Sequence, residues 1–173
     1  ERLISIVNQF LDVSLLELGR IIFTFENFDI TEVIKTSIDE MKIYAKKRNL
    51  YINFEQKEGH FFVNADRERT KQIIENLISN GIKFTENGGV TISIEEQDKQ
   101  ILVRVKDTGF GIKSENQGLL FQKFRQADDI LTHDATKGTG LGLYISRKLI
   151  ENMNGSIFLE SSEEFKGSSF VLL

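Results

Sequence analysis

The sequence contains no cysteine among its 173 residues, which removes disulfides, thiolate metal sites and cysteine nucleophiles from consideration. A cysteine-rich zinc knuckle goes with them, and the composition fits a reducing compartment. Proline is absent as well, although average usage would place roughly nine in this length. Any motif that needs proline is therefore missing. No apolar run approaches the ~18 residues of a membrane helix, and no signal-peptide pattern opens the chain. The first residue is Glu1 rather than methionine, so the sequence reads as an excised soluble fragment. Positive charge is not in excess: 22 basic residues face 26 acidic ones, giving a net charge of −4 and a pI near 5.3. Non-specific binding to nucleic acid or anionic lipid thus lacks an electrostatic footprint.

What is present suits one globular domain, or one with a short appendage: 40% of residues are hydrophobic and 28% charged. Residues 1–19 read as a helix, in which Leu3, Ile4, Ile6, Val7, Phe10, Leu11, Leu15 and Leu18 form an apolar stripe and Gly19 is the stop. So short a helix cannot bury so wide a stripe alone, and it is expected to pack on the rest of the chain or on a partner helix. A β-prone run at 21–25 follows. Asp29 with Glu32 three residues on is then a helix start of capping-box type, leading to about Arg48. Residues 51–54 and 61–63 are expected as strands, and Asp66 opens a helix ending near Phe84. Val90, Ile92, Ile94 and then Ile101, Val103, Val105 alternate with polar residues, the pattern of an antiparallel hairpin. The stretch 107–142 is too long for a bland connection and predicts only a turn or two of helix near 121–124. A helix over 143–153 and strands over 157–160 and 169–173 close the chain. The sum predicts an α+β fold: a two-layer α/β sandwich, with a mixed sheet of about five strands packed on three helices and an N-terminal helical extension.

Glycine is lopsided, because only Gly19 and Gly59 precede Gly81 and the other eleven of 13 lie from there onward. On the helix that Asp66 opens, Ile73, Ile74, Leu77, Ile78, Ile82 and Phe84 share one arc, while Arg69, Gln72, Asn76, Asn80 and Lys83 gather opposite. Asparagine is a poor helix former, so two on one stripe cost stability. That face reads either as a solvated polar surface or as a site where amide oxygens hold a hard cation such as Mg²⁺ while Lys83 meets phosphate. The run DTGFGI directly follows the second hairpin strand, and Gly109 and Gly111 let backbone approach a flat ligand. Its Asp107 either caps a turn or accepts a hydrogen bond from an exocyclic amine. KGTGLGL runs straight into a helix, where Gly138, Gly140 and Gly142 leave N–H groups free as an anion site. Its spacing matches neither the P-loop nor the dinucleotide fingerprint.

In order, DRERTKQIIENLISNGIKFT, DTGFGI, LLFQKFRQAD, KGTGLGLYISRKLIE and KGSSF resemble the N, G1, F, G2 and G3 boxes of the sensor histidine kinases of two-component signalling, over roughly residues 28–173. The resemblance implies the Bergerat-type (GHKL) ATP-binding fold, with ATP and Mg²⁺ as ligands. Carried over residue by residue, Asp107 would hydrogen-bond the adenine amino group, with Gly109 and Gly111 beside the base. Asn80 would ligate Mg²⁺, supported by Asn76, and Lys83 would touch phosphate. Gly138, Gly140 and Gly142, with Thr139 and Leu141 between them, would wrap the phosphates. Ser168 of the last box joins the nucleotide-binding set, as do Phe121 and Phe124, which read equally as plain lid-anchoring hydrophobes. The lid would span about 113–139, with Gln126 where many relatives place an arginine.

The segment RLISIVNQFLDVSLLELG is similar to the second helix of that family's dimerisation and phosphoacceptor hairpin. The implied division is 1–19 as that helix fragment and 20–173 as the catalytic ATP-binding domain. The phosphoacceptor histidine is followed shortly by proline in the family, so it lies outside this sequence, and His60 and His133 read as solvated loop residues. The expected partners are ATP or ADP, the phosphoacceptor hairpin and a response-regulator receiver domain, with no nucleic acid. The fragment is expected to be cytoplasmic and a monomer or weak dimer through Leu3, Val7, Phe10 and Leu11. The parent kinase would be a homodimer, with a membrane anchor left open. Three positions depart from the family pattern: Gly81 stands where alanine is usual, Phe165 replaces the first glycine of the last box, and Lys113 replaces a proline. Gyrase-like relatives place a water-activating glutamate where Asn76 stands, which argues for phosphoryl transfer over hydrolysis. A nucleotide-sensing module without chemistry is the alternative.

Overall fold

A computed structural model describes residues 2–56, 59–125 and 138–173, with side chains from residue 6 onward. In chain order its elements are α1 (Arg2–Glu17), β1 (Phe25–Asp29), α2 (Ile30–Lys47), β2 (Tyr51–Gln56), β3 (Phe62–Asp66), α3 (Arg67–Phe84), β4 (Gly89–Gln97), β5 (Gln100–Asp107), α4 (Ser114–Gln117), α5 (Gly142–Asn152), β6 (Ile157–Glu163) and β7 (Gly167–Leu172). Gln126 and His133 lie outside the described residues.

Two aspartates start the long helices. The Asp29 carboxylate accepts from the Thr31 N–H at 3.0 Å and from the Thr31 hydroxyl at 2.8 Å. Asp66 accepts from the Arg69 N–H at 3.0 Å and, from outside the helix, the Thr24 N–H at 2.9 Å. Both satisfy first-turn donors that have no partner within the helix. Glu32 does not close a capping box; it pairs with Arg67 at 2.8 Å and ties the first turns of α2 and α3 together.

The sheet order is β2-β4-β5-β7-β6, with β2 parallel to β4 and the remaining pairs antiparallel. β1 and β3 form a separate antiparallel ribbon. The first strand therefore sits at Phe25–Asp29 rather than at the β-prone 21–25, because Phe28 pairs with Val63 and the ladder overrides local propensity. Ile21 and Phe23 pack on the core without strand pairing. The short helix expected near 121–124 is instead α4, since Phe124 has φ +60°, outside any right-handed turn.

Helix α3 lies between α2 and α5 and against β4 and β5. Its Ile73, Ile74, Leu77, Ile78 and Ile82 join Val90, Ile92, Ile94, Val103 and Val105 in one core, while Phe84 is only half-buried. β7 is buried along its whole length. Helix α1 packs on α5 with Val13 buried, but Val7, Phe10, Leu11, Leu15 and Leu18 stay largely exposed. Its stripe is thus divided between this chain and solvent, and the Leu3 side chain lies outside the described residues. Among the described residues no helix is long and apolar enough to cross a membrane.

Candidate functional site

Three segments far apart in sequence make up the site: α3 itself, the end of β5 with the loop after it, and the residues around the start of α5. At the middle of α3, Asn76 donates from Nδ2 to the Ser146 hydroxyl of α5 at 2.9 Å, and a Cβ on Gly142 would collide with the Asn76 amide. The first turn of α5 can approach α3 this closely only because residue 142 has no side chain. Near the end of α3, Lys83 stands with its Nζ 4.5 Å from the centre of the Phe84 ring, and a Cβ on Gly138 would lie 2.9 Å from that nitrogen. Between them Asn80 is half-buried, and among the described residues its side-chain amide has no hydrogen-bond partner.

The second segment is the end of β5. Asp107 is 8% exposed, and its Oδ1 accepts both the Gly109 N–H at 2.8 Å and the Ser168 N–H at 3.2 Å. Burial pushes its carboxyl above the ordinary aspartate range, and the two N–H donors only partly oppose this. Among the described residues Oδ2 accepts no hydrogen bond. Gly81 of α3 faces this carboxylate: an added Cβ would come within 2.7 Å of Val90 Cγ2 and 3.4 Å of the Asp107 Cβ. The loop that follows is clamped, with the Phe110 N–H on the Phe84 carbonyl at 3.1 Å and the Phe165 N–H on the Phe110 carbonyl at 2.7 Å. Gly111 has φ +69° and would strike the Glu163 carbonyl if it carried a Cβ. The Ser162 hydroxyl bonds Ser168 Oγ at 2.9 Å and accepts the Ile112 N–H at 2.8 Å.

The third segment flanks α5. Phe124 donates its N–H to the Gly140 carbonyl at 3.1 Å, and Gly140, at φ +71°, leaves no room for a Cβ against Phe124 and Arg125. Leu141 is fully buried, and its N–H reaches the Thr139 hydroxyl at 3.3 Å. Phe121 packs edge-on against Phe170 with centroids 6.4 Å apart, an anchor in the core. Phe124 is 58% exposed and meets Phe10 of α1 at 6.0 Å instead.

The predicted residues therefore reach α3 in two groups: Asp107, Gly109, Gly111 and Ser168 gather beside Gly81 and Phe84, while Gly138 lies against Lys83 and Gly142 against Asn76. Phe124 turns toward α1, and the Thr139 hydroxyl bonds Gln9. Sequence reading missed Ser146, Ser162 and Gln9. Ser146 had a signal, being a polar residue one turn beyond Gly142 on a helix whose neighbours Ile145 and Leu149 are apolar. His60 is exposed and paired with Asp29 at 3.0 Å.

A buried carboxylate, a glycine-rich helix N-terminus beside a lysine and two amides on one helix stripe suit a ligand with a flat base and an anionic tail. Comparison with known proteins agrees. Residues 65–173 match the model of the family described as histidine kinase-, DNA gyrase B- and HSP90-like ATPase. The sensor protein GacS of Pseudomonas syringae pv. syringae is 34% identical over 98% of this chain, and the signal transduction histidine-protein kinase BarA of Escherichia coli is 37% identical over 97%. The chain spans 19% of the length of each. Among solved structures, full-length ShkA in complex with AMPPNP superposes with a TM-score of 0.86 at 28% identity, over 98% of this chain and 35% of that one. Histidine kinase ThkA in complex with the response regulator TrrA gives 0.74 at 25% identity, over 97% of this chain and 47% of that one. The chain belongs to the histidine kinase-, DNA gyrase B- and HSP90-like ATPase family and carries the ATP-binding catalytic domain of sensor histidine kinases.

Proposed function

We propose that this domain transfers the γ-phosphoryl group of magnesium-bound ATP to a histidine outside residues 1–173. The observation that carries the reading is the convergence on α3 of a buried carboxylate, Asp107, and the glycine-rich start of α5, with Gly138 beside Lys83 and Gly142 against Asn76. Asp107 Oδ2 would accept the adenine amino group, with Gly109 and Gly111 beside the base and Ser168 holding the carboxylate in place. Lys83 and the N–H groups at the start of α5 would meet the phosphates. Mg²⁺ fits Asn80, a half-buried residue whose amide is unbonded among the described residues, one turn beyond an Asn76 already held by Ser146. Bound there, the cation would neutralise phosphate charge. Phosphoryl transfer asks a protein mainly for positioning and charge stabilisation, and these residues supply both.

Hydrolysis finds no such support. Asn76 is an amide that takes no proton, and Glu75 is turned to Lys71, 3.5 Å away on the α2 side of the helix. Residues 1–19 are read as the second helix of a dimerisation hairpin, for which the exposed edge of α1 speaks, and about 113–139 as the lid. The whole kinase would act on a response-regulator receiver domain, as the ThkA complex with TrrA suggests by analogy.

Calorimetric titration of ATP and ADP, with and without Mg²⁺, tests the site. Mixing the protein with a hairpin that carries the phosphoacceptor histidine then tests the chemistry. Labelled phosphate should appear on the hairpin and vanish with Asn80→Ala. Nucleotide binding without transfer would leave a nucleotide-sensing module instead.

A further inference from the structure

The last turn of α3 presents consecutive carbonyl groups that the helix itself cannot satisfy. The Phe84 carbonyl accepts from the Phe110 N–H at 3.1 Å, which ties it to the loop after Asp107. The two preceding carbonyls go elsewhere. One terminal guanidinium nitrogen of Arg48 donates to the Ile82 carbonyl and, at 2.9 Å, to the Lys83 carbonyl. A cation is also electrostatically favoured at a helix C-terminus.

Arg48 comes from a fixed root. Its own N–H bonds the Ala45 carbonyl at 3.0 Å, the next residue, Asn49, turns the chain at φ 57°, and Leu50 is buried. The guanidinium thus holds one side of a backbone turn while the loop after Asp107 holds the other. Lys83 projects from between these tethers, with its Nζ beside Gly138.

We propose that Arg48 is a positioning residue for the nucleotide site, setting the turn from which Lys83 reaches the phosphates. The inference rests on the nucleotide reading given above. Arg48 acts through the backbone of residues 82 and 83 rather than on the ligand. Lysine replaces it only in part, because its ammonium can donate to two carbonyls but ends one bond short of the Arg48 nitrogen that makes both contacts.

The test measures ATP affinity for Arg48→Met, which keeps the apolar stem, and for Arg48→Lys, each alone and combined with Lys83→Met. Thermal melting confirms that every variant folds. Arg48→Met should weaken ATP binding about fivefold, the worth of one hydrogen-bonded contact, and Arg48→Lys should recover part of that. In the Lys83→Met background the Arg48→Met loss should shrink below about twofold, since interacting residues are not additive. Equal losses in both backgrounds, or none in either, would overturn the role assigned to Arg48 while leaving the site intact. A wild-type protein that binds no ATP would instead overturn the nucleotide reading, and this role with it.

Discussion

Asp107 answers two opposed demands. Its burial favours a neutral side chain, whereas in the proposed site the ionised carboxylate, whose oxygens only accept, is the form that best receives the amine of the base. In Asp107→Asn the amide oxygen can still take the Gly109 and Ser168 N–H groups, but an NH₂ then stands where Oδ2 was and faces the amine of the base, donor against donor. Nucleotide affinity should fall about tenfold or more, while the melting temperature near neutral pH holds or rises. Because the folded carboxyl sits above its unfolded value, the stability it confers is complete below the ordinary aspartate range. That stability is lost as pH climbs through the raised value. The variant should therefore gain on wild type with rising pH in a melting series; a variant that falls behind would refute this account. Gly81 shows a residue-scale reason that only packing reveals, since its missing Cβ makes room for Val90.

Among elements, α2 owes its start to Asp29. Burial alone would raise this carboxyl, but hydrogen bonds from His60, Thr31 and the Phe61 N–H outweigh it and hold the value at about 2. A depressed carboxyl stabilises above its unfolded value and loses that contribution as pH falls through the folded one. Asp29→Ala should cost about 1 kcal/mol at neutral pH, and the gap from wild type should narrow as pH is lowered toward 2, read by circular dichroism melts. Such caps, like the alternation in β4 and β5, are local, and for that reason the sequence displayed them. The register of β1 was not local: it depends on β3, across α2 and β2. The motifs of the site were equally legible one by one. Their meeting, Asn76 against Gly142 and Gly109 against the Phe84 carbonyl, was not, because it depends on how three elements pack. Ser146 and Arg48 hid for the same reason, each looking like an ordinary helix residue until its partner is known.

Across the whole molecule, α1 is seated by polar contacts at several points along its length. Gln9 bonds Thr139, Asp12 meets Gln72 at 2.9 Å and Arg69 at 3.6 Å, and Glu17 pairs with Lys123. Polar contacts of this kind, partly or fully open to solvent, are each worth about 1 kcal/mol or less, so the docking of α1 should be the weakest cooperative unit of the fold. Asp12→Lys combined with Glu17→Lys should speed amide hydrogen exchange in residues 6–17 severalfold while leaving β4 and β5 unchanged. Uniform acceleration throughout would show instead that α1 and the sheet open together.

The position of β7 bears on how such a protein emerges from the ribosome. This strand is enclosed between β5 and β6, and it supplies the Ser168 N–H that grips Asp107. A nascent chain stopped before residue 167 would expose the flanks of β5 and β6 to one another across an unfilled gap. The hydrogen bonds that hold Asp107 can thus be completed only after nearly all of these 173 residues have been synthesised.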